Sequence, residues 1–380
     1  MASSSIASKV KFIDKTKSGF FAEVRERADD YFKEKNISRN ANALMYAKSA
    51  FFLGGLILFY GLIISDRFSP LVMLLFSALL GMFCAFTAFN IGHDAIHGAY
   101  SSNPRVNKFL SHSFDLLGAN AYMWNITHNV VHHTYTNIPG HDEDIQVAPG
   151  LLRLSPDDKK NKIQKYQHFY AFFLYSFASL SWVFRKDYVK FFKKNIGGSY
   201  DNTKHPRNEV YRLFFFKSVY YIIFIVLPLC LVSVTWWQFI IGFFVMHVAE
   251  GLVLGLVFQL AHVVEGTEFP ITNFEGNIEE AWAVHQMRTT ADFATQSFWA
   301  TWFCGGLNLQ VEHHLFPKTC HIHYPALAKI VKQTAEEYNV PYIANPTFLG
   351  ALKSHYNMLK RFGREEEVVV VAETKESLAV

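Results

Sequence analysis

Seven histidines fall in three tight groups: His93 and His97 in HDAIH, His128, His132 and His133 in HNVVHH, and His313 and His314 in QVEHH. Neutral imidazole is a good ligand for iron, zinc and copper, and a metal site needs several such donors converging on one point. Any one of the 17 histidines taken alone is more readily a hydrogen-bonded core or interfacial residue. Three spaced groups beside apolar stretches are another matter, because uncharged imidazoles in a bilayer protein are costly without partners. Seven rings can supply two metals.

Spacing sharpens the expectation. Residues four apart on an α-helix lie on one face, which pairs His93 with His97 and His128 with His132. Adjacent histidines diverge by roughly 100°. His132/His133 and His313/His314 can therefore each serve two different metals. Gln310 stands three residues before His313 and four before His314, an amide where another imidazole would be expected.

The elements that must hold these groups are membrane helices. The chain has 380 residues, 51% of them hydrophobic and 37 of them Phe, more apolar and aromatic than a soluble enzyme needs. Residues 71–91 are uncharged over roughly 30 Å at about 1.5 Å per residue, enough to cross the hydrocarbon core. Residues 44–64 read as a second span, with Lys48 placed to snorkel to the interface. Spans over 218–235 and 239–264 follow, joined by a Trp236, Trp237, Gln238 turn suited to an interfacial belt. Residues 166–184 are also apolar but carry equal positive flanks, so they read as interfacial or re-entrant. Parity agrees, since an odd number of crossings between His133 and His313 would part the clusters across the bilayer.

Four spans leave outer loops at 65–70 and 235–238 with one basic residue, Arg67, and nearly all other Lys and Arg inside. That bias places all three clusters on the cytoplasmic side. The fold expected is thus an all-α integral membrane protein, four transmembrane helices under a cytoplasmic helical cap that carries the histidines. Residues 1–43 form a cytoplasmic amphipathic arm without the pattern of a secretory signal. Residues 44–362 form the membrane domain, and 363–380 a disordered tail. The net charge of +4 favours anionic lipid surfaces, and no basic stripe points to nucleic acid. Cys84, Cys230, Cys304 and Cys320 are too scattered for a disulfide framework or an iron–sulfur cluster.

The boxes HDAIH, HNVVHHTYTN and GGLNLQVEHHLFP, in this order and separated by paired spans, resemble those of the membrane-bound fatty acid desaturases; Gln310 in the last resembles the front-end group of that family. The resemblance covers about residues 44–362. It implies a di-iron centre that uses O2 and two electrons to place a cis double bond in a fatty acyl chain carried by CoA or by a lipid. By match to the boxes, His93, His97, His128, His132, His133, His313 and His314 would ligate iron and carry catalysis. His262 resembles the further histidine that the family places after its last span, and Gln310 would bind iron weakly, through water or not at all. Many front-end members carry a fused cytochrome b5 domain marked by His-Pro-Gly-Gly; that motif does not occur here, so electrons are expected from a separate protein, ferredoxin or cytochrome b5 with its reductase, docking on the basic face.

Soluble di-iron bundles use carboxylates, whereas these donors are neutral, so oxygen activation must rest on the groups behind the ligands. Asp94, Asp142, Asp144 and Glu312 are candidates for that place, with solvated loop acids as the plainer alternative. His247 and Glu250 lie inside a span and can pair across a turn. His285 suits either a supporting or a structural role. His321 and His323 read as surface residues, not ligands. Trp124, Tyr122 and Trp299 are candidates to line an acyl channel, with packing as the alternative. Two other functions compete: an acyl hydroxylase or related oxygenase at the same centre, and a non-catalytic metal transporter or sensor. The second fits poorly, because transport favours polar ligands at mid-bilayer and these lie at span ends and in loops.

Overall fold

In a computed structural model, which describes residues 9–365, four helices are long and apolar enough to cross a membrane: Ala43–Ile64, Pro70–Ile96, Arg207–Leu231 and Trp236–His262. The outlying residues 1–8, and the expected tail from 366 on, lie outside the described residues. The lipid-facing sides of the four spans are apolar and exposed, as Ile57, Leu58, Leu71, Leu75 and Ile240 show, and the helical backbone satisfies its own polar groups, as a bilayer requires. Asn42 caps the first span by accepting from the amides of Leu44 and Met45, and Pro70 opens the second.

The third span departs from expectation by beginning at Arg207. Its early turns hold Lys217, which is buried and donates to Asp187 at 2.8 Å and to the carbonyls of Gly118 and Trp182. A charge that is paired and fully hydrogen-bonded can lie inside a helix whose apolar run starts only later. Trp236 and Trp237 open the fourth span instead of forming the turn before it, and Thr235 caps them in a box with Gln238. Residues 166–184 form short helices, Gln167–Tyr175 and Ala178–Ser181 followed by a π-helical turn. None approaches the roughly 20 residues that a crossing takes.

Close packing between the second and fourth spans depends on Gly81, where a Cβ would stand 2.0 Å from the Met246 carbonyl oxygen. Small residues let membrane helices approach in this way. At the end of the spans where the histidines gather, the helix Phe20–Glu34 packs on Tyr324–Glu337, and Lys11–Phe12 pairs in parallel with Asn277–Ile278. These elements cover the histidines.

Candidate metal centre

Two span ends begin the site. The second span loosens into a π-helical turn over Ala88–His93 before delivering His93 and His97, and the fourth delivers His262 as its last residue. Asn90 stabilises the loosened turn by donating to the carbonyls of Phe86 (2.8 Å) and Phe303 (3.0 Å). Gly305, at φ 62°, passes so near that a Cβ would lie 2.7 Å from the Phe89 oxygen. A second π-helical stretch, Asn125–His132, carries the middle box, and the short helix Gln310–Leu315 the last.

These elements gather the imidazoles in two groups: His93, His97, His128 and His313 in one, His132, His262 and His314 in the other, each with ligand atoms within 4.8 Å of one another. All seven are buried. The neighbours His313 and His314 part into different groups, as their angular divergence requires. His133 sits between the two, its Nε2 3.2 Å from His128 Nε2 and 3.0 Å from His313 Nε2, its ring stacked on that of His314. On a regular α-helix His128 and His133 would diverge by about 140°. The π-helical stretch lets the first ring meet partners four and five residues on.

Outward nitrogens fix four of the rings. Nδ1–H of His132 donates to Asp142 at 2.8 Å, that of His128 to Asp144 at 3.0 Å, that of His314 to the Gln286 amide oxygen at 2.7 Å and that of His262 to the Thr289 carbonyl at 3.3 Å. Each therefore turns a basic Nε2 inward. His132 Nε2 and His314 Nε2 have no hydrogen-bond partner, nor do His97 Nε2 and both ring nitrogens of His93. Buried polar atoms are rarely left so. Where Nε2 atoms do approach, that of His133 lies 3.2 Å from that of His128 and 3.0 Å from that of His313, the spacing of two nitrogens bound at about 2.1 Å to a single ion. Burial, reinforced by the neighbouring imidazoles, holds His133, His313 and His314 well below the usual histidine range, and His128 down to about 3. Burial works against a charge on His132 too, but Asp142 outweighs it and raises that ring. Neutral, oriented and unpartnered donors fit metal ions.

A profile of the family described as fatty acid desaturase matches residues 68–346. The chain belongs to the fatty acid desaturase family. It is 38% identical over 94% of its length to the sn-1 linoleoyl-lipid 6-desaturase of Synechocystis sp., of which the match covers 99%. It is 35% identical to the Arthrospira platensis protein of the same name, over 93% of this chain and 95% of the relative. The acyl-lipid (8-3)-desaturase of Physcomitrium patens is also 35% identical, over 94% of this chain and 74% of that protein. Desaturases are oxidoreductases, and this one is a membrane enzyme that acts on a fatty acyl chain.

Other candidate residues of the desaturase fall differently. Glu312 does not support a histidine: it accepts from Tyr342 OH (3.2 Å), which also donates to Asp292 (2.5 Å). His321 and His323 are buried, not at the surface. His321 Nδ1 donates to Asp94 at 2.9 Å, and its Nε2 meets Lys48 Nζ at 2.8 Å, so Lys48 is buried in the protein instead of snorkelling. Asp94 lies 3.8 Å from His93 Nδ1. Asp94, Cys320 and His321 cluster closely, but the ammonium already serves the imidazole. His285 bonds the Thr136 carbonyl and His247 the hydroxyls of Ser179 and Tyr220, with Glu250 3.4 Å away. Trp124 stacks on His128 at 4.1 Å, whereas Trp299 is exposed. Gln310 donates its amide to His262 Nε2 at 3.2 Å, while its oxygen is buried without a partner. Gln286, Asn137 and Tyr324, whose hydroxyl lies 3.3 Å from His313 Nδ1, had no individual signal in the sequence; Asn137 alone stood within one of the boxes.

The Asp292–Glu312 pair makes a pH prediction. Burial pushes Asp292 up to about 6, and burial together with Asp292 raises Glu312 well above the carboxylate range. A carboxyl raised on folding favours the native state below its ordinary value, and that contribution is lost as pH climbs through the folded value. Glu312→Gln removes one of the two charges. We expect the Tm of the wild type in detergent to fall relative to that of the variant between about pH 4 and pH 7; parallel curves would show that the pair does not share a proton.

Proposed function

We propose that this protein is an acyl-lipid desaturase that places a cis double bond towards the carboxyl end of its acyl chain. Two iron ions would be held, one by His93, His97, His128, His133 and His313, the other by His132, His262 and His314 with Gln310 beside it. Bound there, they would supply the O2 activation and oxidising power by which two hydrogens from a CH2–CH2 unit, two protons and two donor electrons turn O2 into two waters. The observation that carries this reading is the set of buried, inward-facing Nε2 atoms whose opposite nitrogens are engaged.

The chain's own residues do the rest. Asp142 and Asp144 orient His132 and His128, the usual arrangement behind metal-bound histidine. Trp124 walls one side of His128 and helps to exclude water. The site faces the cytoplasm: the loops at the opposite end, 65–69 and 232–235, hold a single basic residue, Arg67. A separate electron-transfer protein, a ferredoxin or cytochrome b5 with its reductase, would dock on that face. The relatives named as 6- and (8-3)-desaturases support the carboxyl-proximal position and the lipid-linked substrate.

The test is product analysis by gas chromatography and mass spectrometry in cells that express the chain and are fed fatty acids of several lengths. The expected product is two mass units lighter, with its new bond at a fixed count from the carboxyl carbon. A hydroxy acid would establish the oxygenase instead, and no new product would refute the reading.

A further inference from the structure

A cavity of about 500 Å³ beside the imidazoles opens between the end of the second span and the helix Pro104–Leu116. His97 forms part of its wall. The amides of Asn40, Asn107 and Asn125 and the hydroxyls of Ser101, Ser102 and Ser111 line it too, interspersed with apolar surface from Ile96, Pro104 and Tyr122. Two exposed lysines, Lys108 and Lys318, also line it, and no carboxylate does among the described residues. The surroundings change beyond His97. Trp124 stands 5.7 Å from that ring and Phe114 5.1 Å from Trp124, and behind them Ala88, Leu117, Val183 and Leu254 line an apolar crevice.

We propose that this cavity receives the head group of an intact glycerolipid, one rich in hydroxyls and free of positive charge; the inference rests on the desaturase reading above. A chamber that offers amides, hydroxyls and two ammonium groups beside the imidazoles, with an apolar crevice behind Trp124 and Phe114, matches an amphiphile lying head to tail across the metals. A bond formed towards the carboxyl end leaves few methylenes between metals and head, so the head must lodge against His97. Hydroxyl- and amide-lined walls exchange hydrogen bonds with glycerol and its substituents. Two ammonium groups with no opposing carboxylate repel a quaternary ammonium and attract a phosphodiester. The volume is that of an ordinary small-molecule site.

The experiment uses the full chain in nanodiscs, with phosphatidylglycerol and phosphatidylcholine of identical acyl chains as probes. Retention is read by native mass spectrometry on metal-free and iron-loaded protein, and turnover by double-bond formation with a common electron supply. We expect phosphatidylglycerol to be retained and converted in preference, about tenfold. Lys108→Glu with Lys318→Glu should erase that ratio, and Ser102→Trp should lower turnover of both lipids, each at unchanged iron content. The ratio cancels any effect on electron delivery. Equal handling of the two lipids, a preference that survives the double variant, or faster turnover of the acyl-CoA that Ser102→Trp leaves untouched would each overturn the head-group site. A wild type that retains phosphatidylglycerol selectively but desaturates nothing would overturn the desaturase reading and leave the site standing.

Discussion

Alanine in place of His128, His132 or His314 is expected to abolish double-bond formation while the protein still inserts in the membrane. Insertion depends on the apolar spans, and none of the three residues lies in one. Each gives the buried groups an inward Nε2, with Nδ1 committed to Asp144, Asp142 or Gln286. Removing a ring deletes one of the few donors that converge there, and the neighbouring His262 and His313 are held in place by their own bonds to the Thr289 carbonyl and the Tyr324 hydroxyl. Asp142→Asn is a graded control. It keeps the shape beside His132 but weakens the acceptor, and a loss of about 10–100-fold in metal affinity or activity is typical for such a partner. Metal per chain and fatty acid product, measured on the same preparations, check both. Product formation retained in all three alanine variants would remove these residues from the site.

The spans were legible because a membrane leaves a signal in composition: some twenty apolar residues cannot be hidden by tertiary context. The separation of His313 from His314 was legible from helix geometry alone, whereas His133 lies against rings of both groups instead of joining one. Partners distant in sequence were not. Glu312 precedes His313, so the same divergence that parts neighbouring histidines turns it away towards Asp292 and Tyr342. His321 and His323 follow a box in a short stretch that looks like a surface connection, and only the packing of Asp94, Lys48 and Asn40 around them makes them interior.

The π-helical stretches explain why spacing rules served only in part. Nothing in AFNIGH or NITHNVVH announces them, because the loosened turn is held from elsewhere, by Asn90 reaching Phe303 and by Gly305 crowding Phe89. Such turns recur at functional sites. Here the consequence is that one helix supplies His128 to a group shared with His313 and His132 to the other. A strictly α-helical box would align His128 with His132 and leave His133 pointing away.

Asn137, at the end of the middle box, is expected to be as sensitive as any imidazole, through folding instead of metal binding. It is fully buried at φ 56°, a left-handed conformation that asparagine tolerates better than most residues. Its amide nitrogen lies 3.0 Å from the His262 carbonyl, 3.1 Å from that of Thr289 and 3.2 Å from that of Glu268. Its backbone N–H donates to Asp142 at 3.0 Å. One side chain thus ties the middle box to the end of the fourth span, to the carbonyl that holds His262 Nδ1, and to the orienter of His132. Asn137→Ala would leave buried carbonyls short of a donor, at about 1–3 kcal/mol each, and add about 1 kcal/mol of left-handed strain. That is a large share of the stability of a typical domain. Asn137→Gly removes the strain and keeps the lost bonds, and Asn137→Asp sets a carboxylate against three carbonyl oxygens. The expected order of thermal stability in detergent is wild type, then Gly, then Ala, with Asp lowest, and iron content should follow it. If Asn137→Ala instead matches the wild type in Tm and in metal, the connection between box and span must be carried by other bonds.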